Sequence, residues 1–366
     1  MKKESGARQL RRLALRRAAG RRRRRRRRKA EASNPEARGG LDRLGLVVVS
    51  LPGLAALAAL LFTWMQVGQA NKQLRISEQG QITNRFNAAI TNLGSDSVDV
   101  RLGGVYGLER IMQDSVRDHP TVVSVLTAYV RRHAPLPAAG ADRQRSAAPV
   151  AAPPTDIEAA MGVLAKRPLD VETFGLDVNR TDLRGLRSGQ GGSGFAGMIF
   201  QEADLTSADL DGADLTGANL TRTVLRRSSL AGALLSGASL TGSDLTRANL
   251  NKAELNSADL SGARLTGAEL NGAVLGSAIL ERTTFRTANL NGANLTGADL
   301  NGANLVDARL TYANLAFADL TKADLTRADL SDADLTGADL TGAKLTGVRL
   351  TGAKLEGARG LPLSQR

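Results

Sequence analysis

From about residue 194 to 360 the apolar positions recur every fifth residue. Stepping by five from 200 to 355 gives thirty-two positions; thirty are Leu and the others are Phe200 and Phe285. Ala stands two residues earlier in twenty-six cases, the exceptions being Met198, Thr223, Ser228, Ser243, Thr283 and Val348. The unit is Ala-(Asp/Asn)-Leu and two small polar residues, as in Ala298-Asp299-Leu300-Asn301-Gly302. A period of five matches neither a helix nor a long strand. It fits a very short strand followed by a corner, with Ala and Leu pointing one way and the Asp or Asn between them the other. Gly at the end of the unit tolerates a positive φ. Each unit is therefore expected to be one side of a polygon with Ala and Leu inside. A helix fits poorly, because leucines five apart spiral around its surface and each recurring Gly costs about 1 kcal/mol.

Upstream the pattern changes. The stretch 44–65, LGLVVVSLPGLAALAALLFTWM, has no charged residue. It is long enough to span a hydrocarbon core; Pro52-Gly53 permits a kink, and Trp64 sits where aromatic residues favour an interface. A cleaved signal peptide is the rival, opposed by the long apolar core and the lack of a small-residue cleavage site. Leu74, Ile82, Phe86, Ala89, Ile90 and Leu93 predict a helix over 73–93, broken at Asn92-Leu93-Gly94-Ser95. A second helix runs from Val100 to Met112, where Gly103, Gly104 and Gly107 suggest close packing. His119-Pro120 is read as a turn before a third helix over 121–132. Residues 136–155 are an Ala/Pro-rich linker. Thr155 or Asp156 caps a short helix over 157–166. Val178 and Leu183 already follow the five-residue frame, and a glycine-rich insertion at 188–194 interrupts it. That insertion lacks the strand, helix and Lys-Ser/Thr of a phosphate loop.

Charge alters this picture at one place. The net charge of +13 is concentrated in residues 1–43, which hold eighteen Lys/Arg against four Asp/Glu; the rest of the chain is near neutral. Eight arginines fill 21–28 and Lys29 follows. A run of this kind suits anionic lipid headgroups, with Arg21 to Lys29 as the contact, or acts as a topology signal for the apolar span. There is no Cys, which excludes disulfides, thiolate nucleophiles and Cys-based metal sites. Only two His are present, His119 and His133.

The A(D/N)Lxx motif resembles the pentapeptide-repeat family, over nearly half the chain. The resemblance implies an all-β right-handed quadrilateral β-helix, a pentapeptide-repeat solenoid with twenty residues per turn and eight turns over 196–355. The stretch 78–135 is similar to a segment that precedes the repeats in membrane-linked bacterial members. The chain is thus read as a basic disordered tail (1–43), one transmembrane helix (44–66), a small α-helical juxtamembrane region (67–135), the linker (136–155), a short helix and N-terminal cap (156–195), the β-helix (196–360) and a C-terminal tail (361–366).

Candidate chemistry is sparse. A solid rod of Leu and Ala offers no pocket in which titratable groups converge. Glu109, Asp114, Asp118 and His119 are titratable, but a solvated helix face accounts for them. Thr223, Ser243 and Thr283 fall on one face by the twenty-residue count and fit Ala slots. Asp319 and Asp339 share a face, whereas Asp324, Asp329 and Asp334 spread around the perimeter. Two contact patches are candidates: Arg226, Arg227 and Arg247 at one corner, and Tyr312 with Phe317 at two neighbouring corners. No catalytic, cofactor or metal residues are expected. The reading is a non-catalytic, membrane-anchored scaffold with a protein partner on the rod. The bilayer holds 44–66, the N-terminus is cytoplasmic and the rod extracytoplasmic. The alternative implied by the resemblance is a DNA-mimicking modulator of a type II topoisomerase. Such mimicry needs a strongly acidic rod, and 196–360 holds nineteen acids against fifteen bases. Nucleic acid is not an expected partner.

Overall fold

The structure, a computed structural model, describes residues 41–137, 152–167, 176–187 and 194–361. The basic run 21–29, most of the linker, the glycine-rich insertion and the tail 362–366 lie outside the described residues. Two compact units are present, divided between Gly80 and Gln81.

In the first unit, helix α1 (Leu41–Leu93) begins. It contains one stretch long and apolar enough to cross a membrane. Leu54, Leu57, Leu60, Phe62 and Trp64 on it are all exposed. The boundary expected at residue 66 falls inside this helix, which continues without a break through Pro52-Gly53 and on to Leu93. The physical reason is that 66–80 supplies only Gly68 and Gly80 as weak points among good helix formers.

In the second unit the end of α1 is joined by α2 (Val98–Asp114), a 3-10 turn (Val116–Asp118), α3 (His119–His133) and α4 (Thr155–Ala165). His119-Pro120 opens α3 instead of forming a separate turn, because Pro in the first turn forfeits no helical hydrogen bond. α4 packs on both α2 and α3. Ala89, Leu93, Val105, Leu108, Ile111, Val122, Leu126, Ile157 and Leu164 form the core of this module. Gly104 lets α1 and α2 approach: a Cβ there would lie 2.8 Å from the Ala89 carbonyl oxygen. Of the expected stripe on 73–93, Ala89 and Leu93 are buried, whereas Leu74 and Ile90 are exposed.

The repeat folds as a four-sided coil. Parallel bridges join residues twenty apart, from Gly194–Asp214 to Asp339–Arg359. Stepping by five from Ile199 to Lys354 gives thirty-two sides, four to a turn and so eight turns. A further turn precedes them, in which Asp177, Asp182 and Arg187 pair twenty-two residues on. The two extra residues fall between Arg187 and Gly194, where the glycine-rich insertion lies. Each side makes one bridge to the turn before and one to the turn after, and no strand is present among the described residues, since three residues between corners are too few for a ladder. Ala and Leu are inside with essentially no exposure from Ala203 to Leu340. Each buried Leu contributes roughly 1.5–3 kcal/mol. Leu345, Leu350 and Leu355 in the final turn are only partly buried.

Backbone bonding explains the unit residue by residue. The Leu265 N–H donates to the Thr284 carbonyl (2.7 Å), that of Arg264 to Ser243 (2.9 Å), that of Gly267 to Arg286 (2.9 Å) and that of Ala268 to Leu265 across the corner (3.0 Å). One N–H per side, on the first corner residue, is left over. An Asp or Asn at the centre of the side accepts it: Thr206 N–H to Asp204 Oδ1 is 2.9 Å and Thr321 N–H to Asp319 Oδ1 is 2.8 Å. This Asx turn recurs around the rod and is why the central residue is so often Asp or Asn. At some sides whose centre is another residue, a corner Asn or Asp one turn back substitutes. Gly276 N–H donates to Asn256 Oδ1 at 3.1 Å and Ala231 N–H to Asp211 Oδ1 at 2.8 Å.

The helical module is seated directly on the first turn. Asp182 N–H donates to the Ala134 carbonyl (2.8 Å), Leu136 N–H to Arg180 (3.1 Å) and Gly194 N–H to Ala165 (2.9 Å). Arg131 pairs with Asp177 at 2.8 Å. Arg167 is 4% exposed. Its guanidinium donates to the carbonyls of Leu164 (3.0 Å), Gly194 (2.5 Å) and Ala196 (2.5 Å). The region expected as a separate juxtamembrane element thus belongs to the rod's N-terminal cap from about Gln81 onward. The end residues of the expected linker are themselves anchored, Leu136 by its bond to Arg180 and Thr155 as the start of α4.

Candidate interaction surface

The first corner position is polar and the second is left-handed. Among the described residues nineteen glycines and seventeen others have positive φ, nearly all at this second position. The non-Gly set includes Arg227 (φ 57), Arg247 (φ 59), Tyr312 (φ 59) and Phe317 (φ 58). An L-residue in this conformation carries a steric cost of about 1 kcal/mol or more, so long side chains at corners are an informative departure.

Their distribution makes the rod two-sided. The four sides are taken in chain order, the second including Asp204 and Asp244 and the fourth Asp214, Asn294 and Asn314. The two corners flanking the second side carry Glu202, Arg222, Arg282 and Lys322, and Arg227, Arg247, Asp307 and Arg327. Ion pairs cluster there: Arg184 with Asp182 at 2.7 Å, Arg226 with Asp244 at 2.8 Å, Arg327 with Asp307 at 2.6 Å and Lys344 with Asp324 at 3.2 Å. The corners flanking the fourth side are mostly Gly and Ser, with Lys252, Tyr312, Asp332 and Phe317 as the large exceptions.

The two candidate patches therefore lie apart. Arg227 and Arg247 occupy the same corner in adjacent turns, joined through the Arg227 N–H and the Thr246 carbonyl (3.1 Å). Arg226 beside them is committed to Asp244. Tyr312 and Phe317 begin and end one side, the fourth, and are 71% and 68% exposed. Asp319 and Asp339 do pair across turns on one side.

Electrostatics on the rod are local. Burial raises the Asp244 pKa, but hydrogen bonds from Thr246 and Arg226 outweigh it and the net shift is downward. The Thr336 hydroxyl and backbone N–H hold Asp334 down to about 2. Thr223 and Thr283, in Ala slots, donate to the Phe200 and Leu260 carbonyls at 2.9 and 2.8 Å. Ser243, in the same column, is buried with an unpartnered hydroxyl.

Glu109, Asp114, Asp118 and His119 of the cap do not converge. Glu109 pairs with Lys166 (3.3 Å), Asp114 with Arg85 (2.8 Å), and Asp118 accepts from the Ser115 hydroxyl (2.7 Å). His119 is 3% exposed, and burial followed by the Arg167 charge lowers its pKa. A buried cluster that the sequence did not reveal joins three helices: Asp156, 1% exposed, accepts from Arg101 Nε at 2.8 Å and from the Tyr129 hydroxyl. Burial, then the bond to Asp156, pushes Tyr129 up to about 12. A cleft of about 520 Å³ lies beside it, lined by Leu93, Arg101, Val125, Tyr129, Arg132 and His133 among others. Only spacing across 101, 129 and 156 could have signalled this cluster, and no local motif links those positions.

A solenoid with a packed Leu/Ala interior and an outer surface of short polar sides is a repeat protein in which each turn packs only on its neighbours. The model of the family described as pentapeptide repeats matches 195–227, 228–267, 268–305, 288–327 and 323–359, with eight copies. The chain belongs to the pentapeptide repeat family. Among solved structures it is similar to HetL of the cyanobacterium Nostoc, a pentapeptide repeat protein involved in heterocyst differentiation regulation. The identity is 30% over 50% of this chain and 88% of that one, with a TM-score of 0.28. It is also similar to a pentapeptide repeat protein of the Arabidopsis thaliana thylakoid lumen, 36% identical over 27% of this chain and 72% of that one (TM-score 0.26). A third is QnrB1, a plasmid-mediated fluoroquinolone resistance protein, 20% identical over 50% and 91% of the two chains (TM-score 0.30). No curated protein matches the chain.

Proposed function

We propose that the chain is a membrane-anchored, non-catalytic scaffold. α1 holds it in the bilayer, and a rod of the family's right-handed sense presents its outer surface to a partner. The observation that carries this reading is the filled interior: Ala and Leu from Ala203 to Leu340 leave no cavity for a reacting substrate. The paired carboxylates of the cap favour the same reading, since each has its own neighbour. Arg21 to Lys29 supplies the headgroup contact and keeps the N-terminus cytoplasmic, which puts the rod outside.

The absence of Cys makes the topology testable. Ser257→Cys, at an exposed corner, introduces one thiol. In intact spheroplasts a membrane-impermeant maleimide should label it. A rod labelled only after lysis puts the rod in the cytoplasm, sinks this topology and favours the topoisomerase reading. Recovery of the chain in the soluble fraction would remove the anchor.

A further inference from the structure

We propose that the fourth side of the rod binds a neutral polysaccharide chain, laid over Asn294 and Asn314 and bracketed by Tyr312 and Phe317. The large exposed apolar residues of the rod are Leu234, Ile279, Tyr312 and Phe317. Three of them lie on the fourth side or at its corners. Tyr312 and Phe317 occupy left-handed corner positions that this chain otherwise gives to Gly or to charged and hydroxyl residues. An aromatic there combines backbone strain with loss of burial, a cost that an observed outlier at a binding surface accounts for. Phe317 is also held in place: its ring runs over Gly337 of the next turn, where a Cβ would come within 2.7 Å of the ring.

The floor between the rings is polar but uncharged. Asn314 Oδ1 accepts the Ala316 N–H at 3.0 Å, and Asn294 Oδ1 accepts the Thr296 N–H at 3.1 Å. Each amide Nδ2 is therefore left as a donor with no protein acceptor among the described residues. The two sit in adjacent turns, about 4.8 Å apart. Between Glu254 and Asp334 the centres of this side carry no charge, and Asp334 is paired with Lys354 at 3.2 Å.

The chemistry selects the occupant. Nucleic acid requires a cationic floor, which this side lacks. A stable protein interface needs about 800 Å² from each partner around an apolar centre. Here the contiguous apolar surface is two rings on one turn, with an amide between them and Leu234 four turns away. A sugar chain presents C–H faces to aromatic rings and hydroxyls to amides, and no charge to either. This deepens the scaffold reading and rests on it for the rod acting as a holding surface, whichever side of the membrane it faces.

The test uses the full chain in detergent micelles, titrated calorimetrically with chitohexaose, cellohexaose and maltohexaose. At least one should bind. Tyr312→Ala and Phe317→Ala should each weaken binding roughly tenfold, and Arg227→Ala should leave it unchanged. Unaltered melting of the aromatic variants establishes that they fold. Failure of all three oligosaccharides to bind overturns the proposal, as does binding indifferent to both rings. A concentration-dependent dimer in sedimentation velocity, dissolved by Tyr312→Ala, overturns it in favour of a second copy. Labelling of Ser257→Cys is a separate readout, so a failed topology leaves this proposal standing and a failed titration leaves the topology standing.

Discussion

In the rod every turn buries the same pair of side chains against the turns above and below, whereas the cap encloses a single irregular core. The polar residues buried in the rod are hydroxyls: Thr181, Thr223, Ser228, Ser243 and Thr283. Those buried in the helical module and its junction include Asp156, His119 and Arg167, all titratable or charged. A stack of equal turns gains stability as a nearest-neighbour sum and tolerates variety outside. The cap meets a coil end that would otherwise leave open the carbonyls of Gly194 and Ala196, and it closes them with one guanidinium. The uniform region is robust to pH and surface change; the irregular one carries the specific, breakable contacts.

The largest effect tests the inside of the rod. Leu265→Asp places a charge at a position with no exposure. The expected loss is on the order of 4 kcal/mol or more. Thr266→Asp, one residue on and partly exposed, should shift melting little. Equal shifts for the two would refute the inside/outside assignment.

Next comes the junction. Arg167→Met removes the donor to three carbonyls and should cost about 3 kcal/mol. Its sharper signature is spatial: hydrogen exchange should quicken in α3 and around 177–187 while the turns beyond 240 stay protected. Uniform acceleration along the whole chain would show that cap and rod are one cooperative unit after all.

Acid should separate the regions further. His119 has a folded pKa below its unfolded value of about 6.5, so the unfolded cap binds a proton more readily. Its contribution is present above about pH 6.5 and is lost as pH falls through the folded value. The charged group facing it, Arg167, stays ionised in that window. Asp334, held to about 2, and Asp324, Asp329 and Asp339, also lowered, contribute above their unfolded pKa of about 3.9. That contribution is lost as pH falls from there through their folded values, about 2 for Asp334. Exchange in α3 should therefore loosen below about pH 6.5 with the rod intact until below about 4, and His119→Leu should abolish the first step. A rod that loosens first reverses the comparison.

Leucine spacing made the rod legible because one residue in five is enough to fix inside from outside. The four-sided turn was implied by the family resemblance, and the bridges twenty apart agree with it. The Asx role of the central Asp and Asn was present in the sequence only as composition. It becomes visible only when the leftover corner N–H is counted. The short helix and cap over 156–195 were legible, but not that the helices over 81–135 join them on the first turn. Arg101, Tyr129 and Asp156 meet across fifty-five residues of chain, and Arg167 gives no local sign that its charge is buried. Arg227, Arg247, Tyr312 and Phe317 of the candidate patches lie at left-handed corner positions. That the aromatic pair flanks an uncharged side, and the arginines an ion-paired one, depends on the twenty-residue turn.

The smallest effect concerns corner strain, and it asks how much freedom the uniform region has. Thr287 is β-branched and held at φ 55. Its hydroxyl donates to the neighbouring Arg286 carbonyl at 2.6 Å. Thr287→Gly should recover the left-handed cost of about 1–2 kcal/mol. It should lose about 0.5–1 kcal/mol to the freer unfolded chain, and a little more with the exposed hydrogen bond. The net expectation is a stabilisation of about 0.5 kcal/mol, read as a small rise in denaturation midpoint. Gly292→Thr is the mirror experiment. Gly292 has φ +64, and a Cβ there meets nothing within 4 Å, so only backbone strain changes. It should destabilise by a similar amount. If Thr287→Gly instead weakens the rod while Gly292→Thr is neutral, corner residues are held by side-chain contacts, and the rod is less uniform than its repeat implies.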